Sequence, residues 1–314
     1  SSSSAASDVY KRQNLSNSRA SYLPKSVFSP PNSSKYFSFI LTYKSCFIML
    51  YLDPFVFKLA RKAVSPIYAV YQRRLENQIK KGEVPNHLAV IMDGNRRYAE
   101  GAGLLPHEGH LKGKNTLENL SDWCRSVGIK ILTVYAFSLE NFNRSEDELE
   151  KLMDLFEESF RNAGDDPRVH KNKVRVRALG HRELLPDRVT DAIDYAESKT
   201  KEYNNFNYNL AVAYGGRQEI VRSMKILGKM IEKKELVADD IDADLISSNL
   251  YTSDLPDPDL ILRTSGEERI SNFLLWQLAY SELYFADVFW PDMRKIDFLR
   301  AIRSFQQRNR RLGK

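Results

Sequence analysis

Residues 87–98 read HLAVIMDGNRRY, and this stretch decides the fold. Its first half is a short, mainly apolar run, which is typical of a buried strand. Its second half is polar and opens with Asp93 and Gly94. Similar apolar runs follow at residues 131–137, 174–179, 208–214, 260–263 and 283–289. Amphipathic stretches with a helical period lie near residues 108–127, 145–163, 186–203, 216–233, 242–250, 272–281 and 295–311.

Short strands that alternate with helices of this length predict parallel βαβ units. We therefore expect an α/β fold: a single domain with a central, mostly parallel β-sheet flanked by helices. Ser145, followed by Glu148 three residues later, predicts a capping box at the start of one helix. The sequence divides into a tail at 1–48, N-terminal helices at 49–82 and the α/β domain at 83–314.

The tail differs in composition from the rest of the chain. Residues 1–48 contain 14 Ser but no Glu and no Gly, and they show no clear helical or strand period, so we expect no packed core there. Two explanations stay open: a targeting segment, or a stretch that is not native coding sequence, with the true start at Met49. The apolar run 36–52 contains Lys44 and is shorter than the ~20 residues of a spanning helix, so no transmembrane helix is predicted.

The predicted N-terminal helices have an apolar face next to several Lys and Arg residues. Asp53-Pro54 and Ser65-Pro66 predict helix starts, and Gly82 predicts an end. Two functions stay open for this face: it could lie on a membrane surface, or it could pack on its own domain or on a partner. The face consists of Phe55, Leu59, Ile67, Val70 and Tyr71.

Charge and cysteine content exclude several classes of protein. The net charge of +6 belongs mainly to the tail, because six basic residues and one acidic residue lie there, and 49–314 carry 41 basic and 40 acidic residues. We therefore expect no nucleic-acid partner. The two cysteines, Cys46 and Cys124, cannot staple a chain of 314 residues, so we expect a reduced, cytoplasmic protein, at most attached to a membrane surface.

Polar loops follow the predicted strands, and nearly all of them contain an arginine. Ligands bind at the carboxyl ends of strands in an open parallel sheet, so these loops are expected to form one site. Arg97, Arg144, Arg263 and Arg269, with the glycines of the DGN, YGG and TSG segments, predict binding of a polyanionic phosphate. Asp93 among these cations is expected to bind a hard divalent cation that the phosphates also coordinate.

Four segments resemble the motif blocks of the cis-prenyltransferases, the undecaprenyl diphosphate synthase family. They are HLAVIMDGNRRYA, TVYAFSLENFNRS, LAVAYGGRQEI and LILRTSGEERISNFLLWQLAYSELYF. The resemblance runs from about His87 to Gly313, in the family's order and spacing. It implies that residues 83–314 form a Mg²⁺-dependent catalytic domain. That domain would condense isopentenyl diphosphate with an allylic diphosphate into a long polycis-polyprenyl diphosphate, a glycosyl carrier lipid precursor.

The resemblance also implies roles for individual residues in the allylic half of the site. Asp93 matches the essential, Mg²⁺-binding aspartate, and His110 matches a histidine near the diphosphate. A second group lines the substrate site at the next strand end, where Asn141 matches a position assigned to proton removal. Because an amide is a poor base, we expect Asn141 to orient the reacting groups. The residues that match the diphosphate loop are Gly94, Asn95, Arg96, Arg97 and Tyr98, and those of the second group are Ser138, Leu139, Glu140, Phe142 and Arg144.

For the isopentenyl diphosphate, the matching residues lie near the end of the chain. Arg263, Arg269, Ile270 and Ser271 match its pocket, and Glu282 matches a second metal-linked carboxylate. The tail residues Arg311 and Gly313 resemble the R-x-G motif that completes the neighbouring subunit's site, which implies a homodimer.

Arg96 stands where many bacterial members have Gly, and the resulting GNRR form together with the R-x-G tail favours an archaeal-type, homomeric member. Pro106 stands where the bacterial enzymes place a phosphate-contacting Arg, so that contact is not expected here. The expected starter is then geranylgeranyl diphosphate, with farnesyl diphosphate as the alternative. An apolar channel for the growing chain is expected near the 136–137 strand end and the helix residues Leu152, Met153, Leu155 and Phe156, although ordinary core packing explains them equally well.

Two other functions are alternatives to this one. A haloacid-dehalogenase-like phosphatase would need a second Asp two residues after Asp93, where this chain has Asn95. A non-catalytic accessory subunit or lipid-binding scaffold is the non-enzyme alternative. The presence of Asp93 and of the R-x-G tail in one chain argues against it.

Overall fold

The computed structural model describes residues 68–308 in full, and the backbone of residues 37–43 and 46–52. The chain divides into two units, Ser1–Pro66 and Ile67–Lys314. The predicted domain boundaries after residues 48 and 82 stay predictions. The predicted helix starts at residues 53 and 65 lie outside the described residues.

In the first unit, strands β1 (Phe37–Tyr43) and β2 (Cys46–Leu52) pair antiparallel, with Phe37 opposite Leu52 and Tyr43 opposite Cys46. The sequence shows no clear strand period before residue 49 and did not predict these two strands, and the expectation of no packed core in the tail stays a prediction. Lys44 and Ser45 interrupt the apolar run and leave two segments of ordinary strand length, rich in aromatic and β-branched residues.

The second unit contains a six-stranded sheet in which every neighbouring pair of strands is parallel. Its order is β5-β6-β4-β3-β7-β8. The predicted fold class is confirmed. The strands are β3 (His87–Ile91), β4 (Ile131–Ser138), β5 (Val174–Leu179), β6 (Phe206–Tyr214), β7 (Leu260–Arg263) and β8 (Glu282–Phe285).

Helices cover both faces of this sheet. In chain order they are α1 (68–79), α2 (Asn95–Gly101), α3 (Pro106–Val127), α4 (Glu146–Asp165), α5 (Pro167–Lys171), α6 (Asp187–Thr200), α7 (Gly216–Glu232), α8 (Ala243–Ser247) and α9 (Lys295–Gln307). Within residues 68–308, no helix is long and apolar enough to cross a membrane.

Alternation along the strands separates two apolar cores. Leu88 and Val90 of β3 face the larger core, which includes α3, α4, α6 and α9, whereas Ala89 and Ile91 face the smaller one. β3, β7 and most of β4 and β6 are buried, as expected for the interior of a parallel sheet, while Arg175 and Arg177 of the edge strand β5 are partly exposed.

Two local predictions are wrong. The predicted helix at 272–281 is a loop followed by a 3₁₀ turn, Gln277–Tyr280, because Ser271, Asn272 and Leu274 have positive φ angles that an α-helix cannot contain. Ser145 does precede α4, but its side chain forms no cap hydrogen bond. Glu148, its predicted capping partner, accepts from Arg144 instead.

Candidate functional site

The order of the sheet reverses at β3, because β4 lies on one side of it and β7 on the other. Ligands bind in the crevice at such a switch point, at the carboxyl ends of the strands. Asp93 follows the end of β3. Arg263, the last residue of β7, pairs in register with Ile91 of β3. The fold therefore brings the predicted metal-binding carboxylate and a predicted diphosphate-binding arginine to the same place.

The backbone of Asp93 is fixed from several sides. Its N–H donates to Thr264 Oγ1 at 3.0 Å, and the Thr264 hydroxyl donates to the Asp93 carbonyl at 2.7 Å. The N–H of Trp290 donates to the same carbonyl at 3.0 Å. The next residue must be glycine, because Gly94 has a φ of 109° and a Cβ there would lie 2.8 Å from Phe289. These contacts aim the Asp93 side chain into the crevice.

Two arginines hold the Asp93 carboxylate. Arg263 Nη2 donates to Oδ2 at 2.7 Å, and Arg97 Nη2 donates to Oδ1 at 3.1 Å. Burial raises the pKa of Asp93, but the hydrogen bonds from Arg263 and Arg97 outweigh this effect and hold the pKa below its usual value. The carboxylate is therefore ionised at neutral pH.

Glu267 extends this contact into a chain of charges. Arg97 donates to Glu267 Oε1 at 2.9 Å and to Ser265 Oγ at 2.8 Å. The other oxygen of Glu267 accepts from Arg269. The ionic chain, in spatial order, is Arg269, Glu267, Arg97, Asp93 and Arg263. It joins the predicted allylic loop to the predicted isopentenyl diphosphate loop.

Arg263 is almost fully buried, with 3% of its surface exposed. It donates to Ser271 Oγ at 2.8 Å and to the carbonyl of Arg269, with Ile270 between them in the same loop. Its Nε atom is buried and forms no hydrogen bond within the described residues, and the same is true of Asn95 Oδ1. Because buried polar atoms are normally paired, these two are candidates for ligand contacts.

A second charged cluster forms around Glu148. Glu148 Oε1 accepts from Arg144 at 2.8 Å and lies 3.8 Å from both Arg96 Nε and His110 Nε2. Burial, and after it the Arg144 cation, lower the pKa of His110 to about 4. His110 is therefore neutral at physiological pH and can donate one hydrogen bond and accept another.

The loop after β4 is a 3₁₀ turn, Leu139–Asn143. Asn141 Oδ1 accepts from the Ser138 N–H at 3.0 Å, so the side chain expected to orient the reacting groups closes its own turn in this structure. Leu139 and Phe142 pack against the larger core, and the Phe142 ring meets Phe137 edge-on at 4.9 Å.

A cavity of about 560 Å³ begins beside Asn95 and His110 and extends between α3 and α4. Three of the predicted channel residues on α4 line its wall: Leu152, Leu155 and Phe156. Ala136 also lines it, whereas Phe137 and Met153 are buried in the core and do not. The far end is polar and includes Glu118, Asp122, Asp166 and Arg168. An apolar chain whose charged head sits among the arginines could occupy this space.

Some predicted site residues are not brought together. Glu282 begins β8 level with Leu260, so it lies at the amino edge of the sheet, opposite to Asp93. It accepts from Arg308 at 2.7 Å. Within one chain it cannot share a metal ion with Asp93, because about five residues of strand, or roughly 16 Å, separate the two levels. Arg311 and Gly313 lie outside the described residues.

Two further groups of the predicted site form hydrogen bonds within the protein. The hydroxyl of Tyr98, a residue of the predicted diphosphate loop, accepts from Lys112 Nζ at 3.1 Å. The amides of the YGG segment were expected to approach an anion. The N–H of Gly216 instead donates to the Asn272 carbonyl at 2.7 Å, and that of Arg217 donates to Asn272 Oδ1 at 2.9 Å. These two donors are already used inside the protein.

Sequence reasoning missed four residues that organise the site: Glu148, Thr264, Glu267 and Asn272. Glu148 stands four residues after Arg144 on adjoining elements, a spacing that could have suggested the pair. No comparable local pattern points to Thr264 or Asn272, since their partners are 54 to 171 residues away.

The oxygen donors at this edge suit a magnesium ion that is held partly by substrate. Within residues 68–308 there is no cluster of three or more His, Cys, Asp or Glu side chains that could hold a metal alone. Mg²⁺ usually binds one or two carboxylates together with substrate phosphates and water. Asp93 is ionised and contacts Arg97 and Arg263, and the two charged clusters together contain five arginines but three carboxylates, an arrangement that favours a metal bound together with phosphate.

Comparison with known proteins agrees with this geometry. Residues 91–313 match the prenyltransferase family described as "Putative undecaprenyl diphosphate synthase". The chain is 52% identical over 254 residues to the tritrans,polycis-undecaprenyl-diphosphate synthase (geranylgeranyl-diphosphate specific) of Methanopyrus kandleri, covering 81% of this chain and 94% of that protein. The protein of the same name from Pyrococcus abyssi is 52% identical over 249 residues, covering 79% and 94%.

A solved structure is also similar. The crystal structure of lavandulyl diphosphate synthase from Lavandula x intermedia in complex with dimethylallyl diphosphate matches with a TM-score of 0.71 and 37% identity. The match covers 74% of this chain and 99% of the plant protein.

Proposed function

Because the chain belongs to the undecaprenyl diphosphate synthase family of cis-prenyltransferases, we propose that it condenses isopentenyl diphosphate with geranylgeranyl diphosphate. The product is a long polycis-polyprenyl diphosphate, a precursor of glycosyl carrier lipids. One observation carries the proposal: a crevice lined with arginines at the carboxyl edge of the sheet opens directly into an apolar cavity.

The chemistry needs charge stabilisation and orientation. The C–O bond of the allylic diphosphate breaks, the alkene of isopentenyl diphosphate forms the new C–C bond, and a proton leaves the adjacent carbon. Negative charge accumulates on the departing diphosphate, where Arg97 and the buried Arg263 can donate hydrogen bonds. Neutral His110 can donate a further bond, and the cavity wall excludes water from the carbocation-like carbon.

Mg²⁺ fits this site as a cofactor. Asp93 would hold it together with the allylic diphosphate, and the bound ion would supply Lewis-acid stabilisation of the leaving group. Arg97 and Arg263 hold the Asp93 side chain in place until the ion and the diphosphate bind.

The starter is proposed from the names of the relatives and supported by the cavity. Both archaeal relatives carry "geranylgeranyl-diphosphate specific" in their names. A longer allylic tail buries more apolar surface, and each buried CH₂ contributes about 0.8 kcal/mol to binding. The cavity, with Leu155 and Phe156 on its wall, gives such a tail a place to lie.

The test is incubation of the purified chain with isopentenyl diphosphate, Mg²⁺ and allylic diphosphates of increasing length, followed by product sizing. We expect the highest kcat/KM with geranylgeranyl diphosphate and loss of product with EDTA. Failure to extend any starter would contradict the proposal and favour an accessory subunit.

We further propose that the active unit is a homodimer in which the tail of each chain completes the partner's site. Arg308, at the end of α9, donates to Glu282 and to the carbonyl of Leu283 at the amino edge of the sheet. Arg308 therefore places the start of the tail at the amino edge, roughly 16 Å from the level of Asp93 in the same chain. We propose that the tail and Glu282, which lies beside its start, contribute to the partner's site instead.

Complementation tests this arrangement. Asp93→Ala inactivates a site from within, whereas truncation after Arg308 removes the tail. When the two variants are mixed, a heterodimer contains one site with an intact Asp93 and an intact tail, so activity should partly return. Verified heterodimers that stay inactive would show that the tail does not act across the interface.

Membrane-surface association is proposed for α1. Tyr68, Val70 and Tyr71 are exposed there, at 46%, 67% and 40%, next to Arg73 and Arg74. Exposed aromatic and aliphatic groups beside cations favour an anionic lipid surface. Flotation with vesicles that contain anionic lipid should recover the wild type. The Val70→Asp/Tyr71→Asp double variant should remain in the fraction without vesicles. Equal recovery of the wild type and the variant with the vesicles would contradict the proposal.

A further inference from the structure

We propose that Asn272 is a positioning residue that fixes the loop carrying the isopentenyl diphosphate contacts. The inference rests on the proposed function, and it assigns a task to a side chain outside the predicted binding set. Asn272 directly follows Ser271, and its backbone and side chain together make four hydrogen bonds to the loops after β4 and β6.

The side chain uses both of its polar atoms. Oδ1 accepts from the Arg217 N–H at 2.9 Å. Nδ2 donates to Glu140 Oε1 at 3.1 Å and to Gln218 Oε1 at 3.1 Å. The carboxyl ends of β4, β6 and β7 are thus tied together at one residue, on the side of the crevice where the isopentenyl diphosphate is proposed to bind.

Asn272 also caps α7. The first N–H groups of a helix have no partner within it, and the residue before α7, Gly215, has no side chain to offer. The Asn272 carbonyl and Oδ1 accept from the first two of these groups, on Gly216 and Arg217. A Cβ on Gly215 would lie 2.8 Å from Asn272 Nδ2, so the glycine of the YGG segment leaves room for this contact.

The backbone conformation suits asparagine. Asn272 has a φ of 64°, in the left-handed region that Asn tolerates better than other non-glycine residues. Its neighbour Ser271 also has a positive φ, of 48°. Such strained positions persist only when surrounding contacts enforce them, and the four hydrogen bonds of Asn272 supply that enforcement.

The consequence reaches the proposed binding groups through one residue. Ser271 Oγ accepts from Arg263 Nη1 at 2.8 Å, and Arg263 also holds Asp93. A shift of the loop at Asn272 would therefore move the Ser271 hydroxyl and the two Arg263 contacts. We expect the loss to fall on the isopentenyl diphosphate, because the allylic loop is fixed separately through Thr264 and Trp290.

The test uses Asn272→Asp, which keeps the size and the Oδ1 acceptor but removes the donor to Glu140. At about pH 8 we expect KM for isopentenyl diphosphate to rise by about 10-fold, with the KM for the allylic substrate changed less than about twofold. Two carboxylates about 3 Å apart share a proton, so the pKa of the pair is raised and the defect should shrink towards about pH 6. The wild type should show no such improvement at low pH.

A reciprocal variant separates positioning from simple destabilisation. In Asn272→Asp/Glu140→Gln the donor and acceptor exchange places, and the Gln218 amide can rotate to donate. The KM of the double variant for isopentenyl diphosphate should return part of the way to the wild-type value. It should therefore be lower than the effects of the two single substitutions, added together, would give. Asn204→Asp, on an exposed loop before β6, is the control for an added charge and should leave both KM values unchanged.

A further readout does not need turnover. Inorganic diphosphate should raise the melting temperature of the wild type, and this shift should be smaller in Asn272→Asp and restored in the reciprocal variant. Equal losses for both substrates that follow the melting temperature, without pH dependence or rescue, would overturn the proposal. Absent turnover in the wild type would instead contradict the proposed function.

Discussion

The polar side chains at the two edges of the central sheet have different kinds of hydrogen-bond partner. At the amino edge, Asp259 Oδ2 accepts from the backbone N–H groups of Asn86 and His87 at 2.7 and 3.0 Å. The buried His87 ring contacts the Pro256 carbonyl and Thr133 Oγ1 at 2.7 and 2.8 Å. These partners are neutral groups of the protein, and the hydrogen bonds join strands and loops, while Glu282 and Arg308 form an ion pair at the same edge.

At the carboxyl edge, charged side chains pair with other charged side chains. Asp93, Arg97 and Glu267 hold one another in place, and the buried Arg263 keeps one donor atom without a hydrogen bond in the described protein. A diphosphate could replace the carboxylates as the partner of these arginines. The comparison indicates that the amino edge stabilises the fold, whereas the carboxyl edge is arranged for charged ligands.

The largest expected effect comes from Asp93→Asn. The variant keeps the shape of the side chain but removes the negative charge, so kcat/KM should fall by about 10³-fold or more. The melting temperature should change by only a few degrees, because the amide oxygen can still accept from Arg263 while Arg97 keeps Glu267 and Ser265 as partners. Measured turnover above a few per cent of the wild type would show that this carboxylate is not part of the chemistry.

Asp259→Asn is the matched change at the other edge. An amide in place of a carboxylate that accepts two backbone N–H groups should lower the free energy of unfolding by about 1–3 kcal/mol. Denaturant unfolding would measure this loss. Assayed below its transition, the variant should retain kcat/KM within about threefold, and a catalytic defect as deep as that of Asp93→Asn would remove the contrast between the edges.

Much of this contrast could be predicted from sequence. The apolar run at 87–92 predicts a buried strand. The rule that ligands bind at the carboxyl ends of parallel strands predicts that Asp93, Arg97 and Arg263 lie in one crevice. The match is close because strand ends are local features, and strands joined by parallel crossovers end at the same edge of the sheet.

Other parts could not be predicted because they depend on contacts between distant residues. Glu267 reads as one acid in an exposed loop, and only the fold places it between Arg97 and Arg269. The segment after Ser271 has a helical apolar pattern, yet Asn272 holds it in a left-handed conformation. For Glu282, the family resemblance implies a metal-linked role but does not say where in the sheet the residue lies. The register of β8 places it at the amino edge, opposite to Asp93.

His87 at the amino edge and His110 near the carboxyl edge allow the comparison to be tested by changing the pH. Burial is the main cause that lowers the pKa of both His87 and His110 to about 4. The unfolded chain takes up protons below about pH 6.5 while the folded one does not, so stability is complete above that value. It falls as the pH decreases towards 4, by up to about 3 kcal/mol per histidine.

Substitution of either histidine by Gln should reduce the fall in the free energy of unfolding between about pH 7 and 4, as measured by denaturant unfolding. Only His110 should respond to a ligand. Bound inorganic diphosphate places negative charge near its ring and should raise its pKa by about one unit, as followed by NMR of the imidazole protons, while His87 should not move. A diphosphate-induced shift at His87, or none at His110, would contradict the assignment of the two edges.

The smallest effect concerns the cavity, which begins at the carboxyl edge and extends along α4. Leu155 and Ala163 both line it, eight residues apart, which corresponds to about 12 Å along the helix, with Leu155 nearer to His110. A Trp at either position should block the growing chain, so the main product should be shorter for Leu155→Trp than for Ala163→Trp, and both shorter than that of the wild type. Lys151→Trp, on the exposed face of the same helix, adds the same ring outside the cavity and should leave product length unchanged. Chromatographic sizing of the dephosphorylated products would measure the difference. Equal products from the two cavity variants would show that the chain does not extend along α4 from the carboxyl edge towards the amino edge.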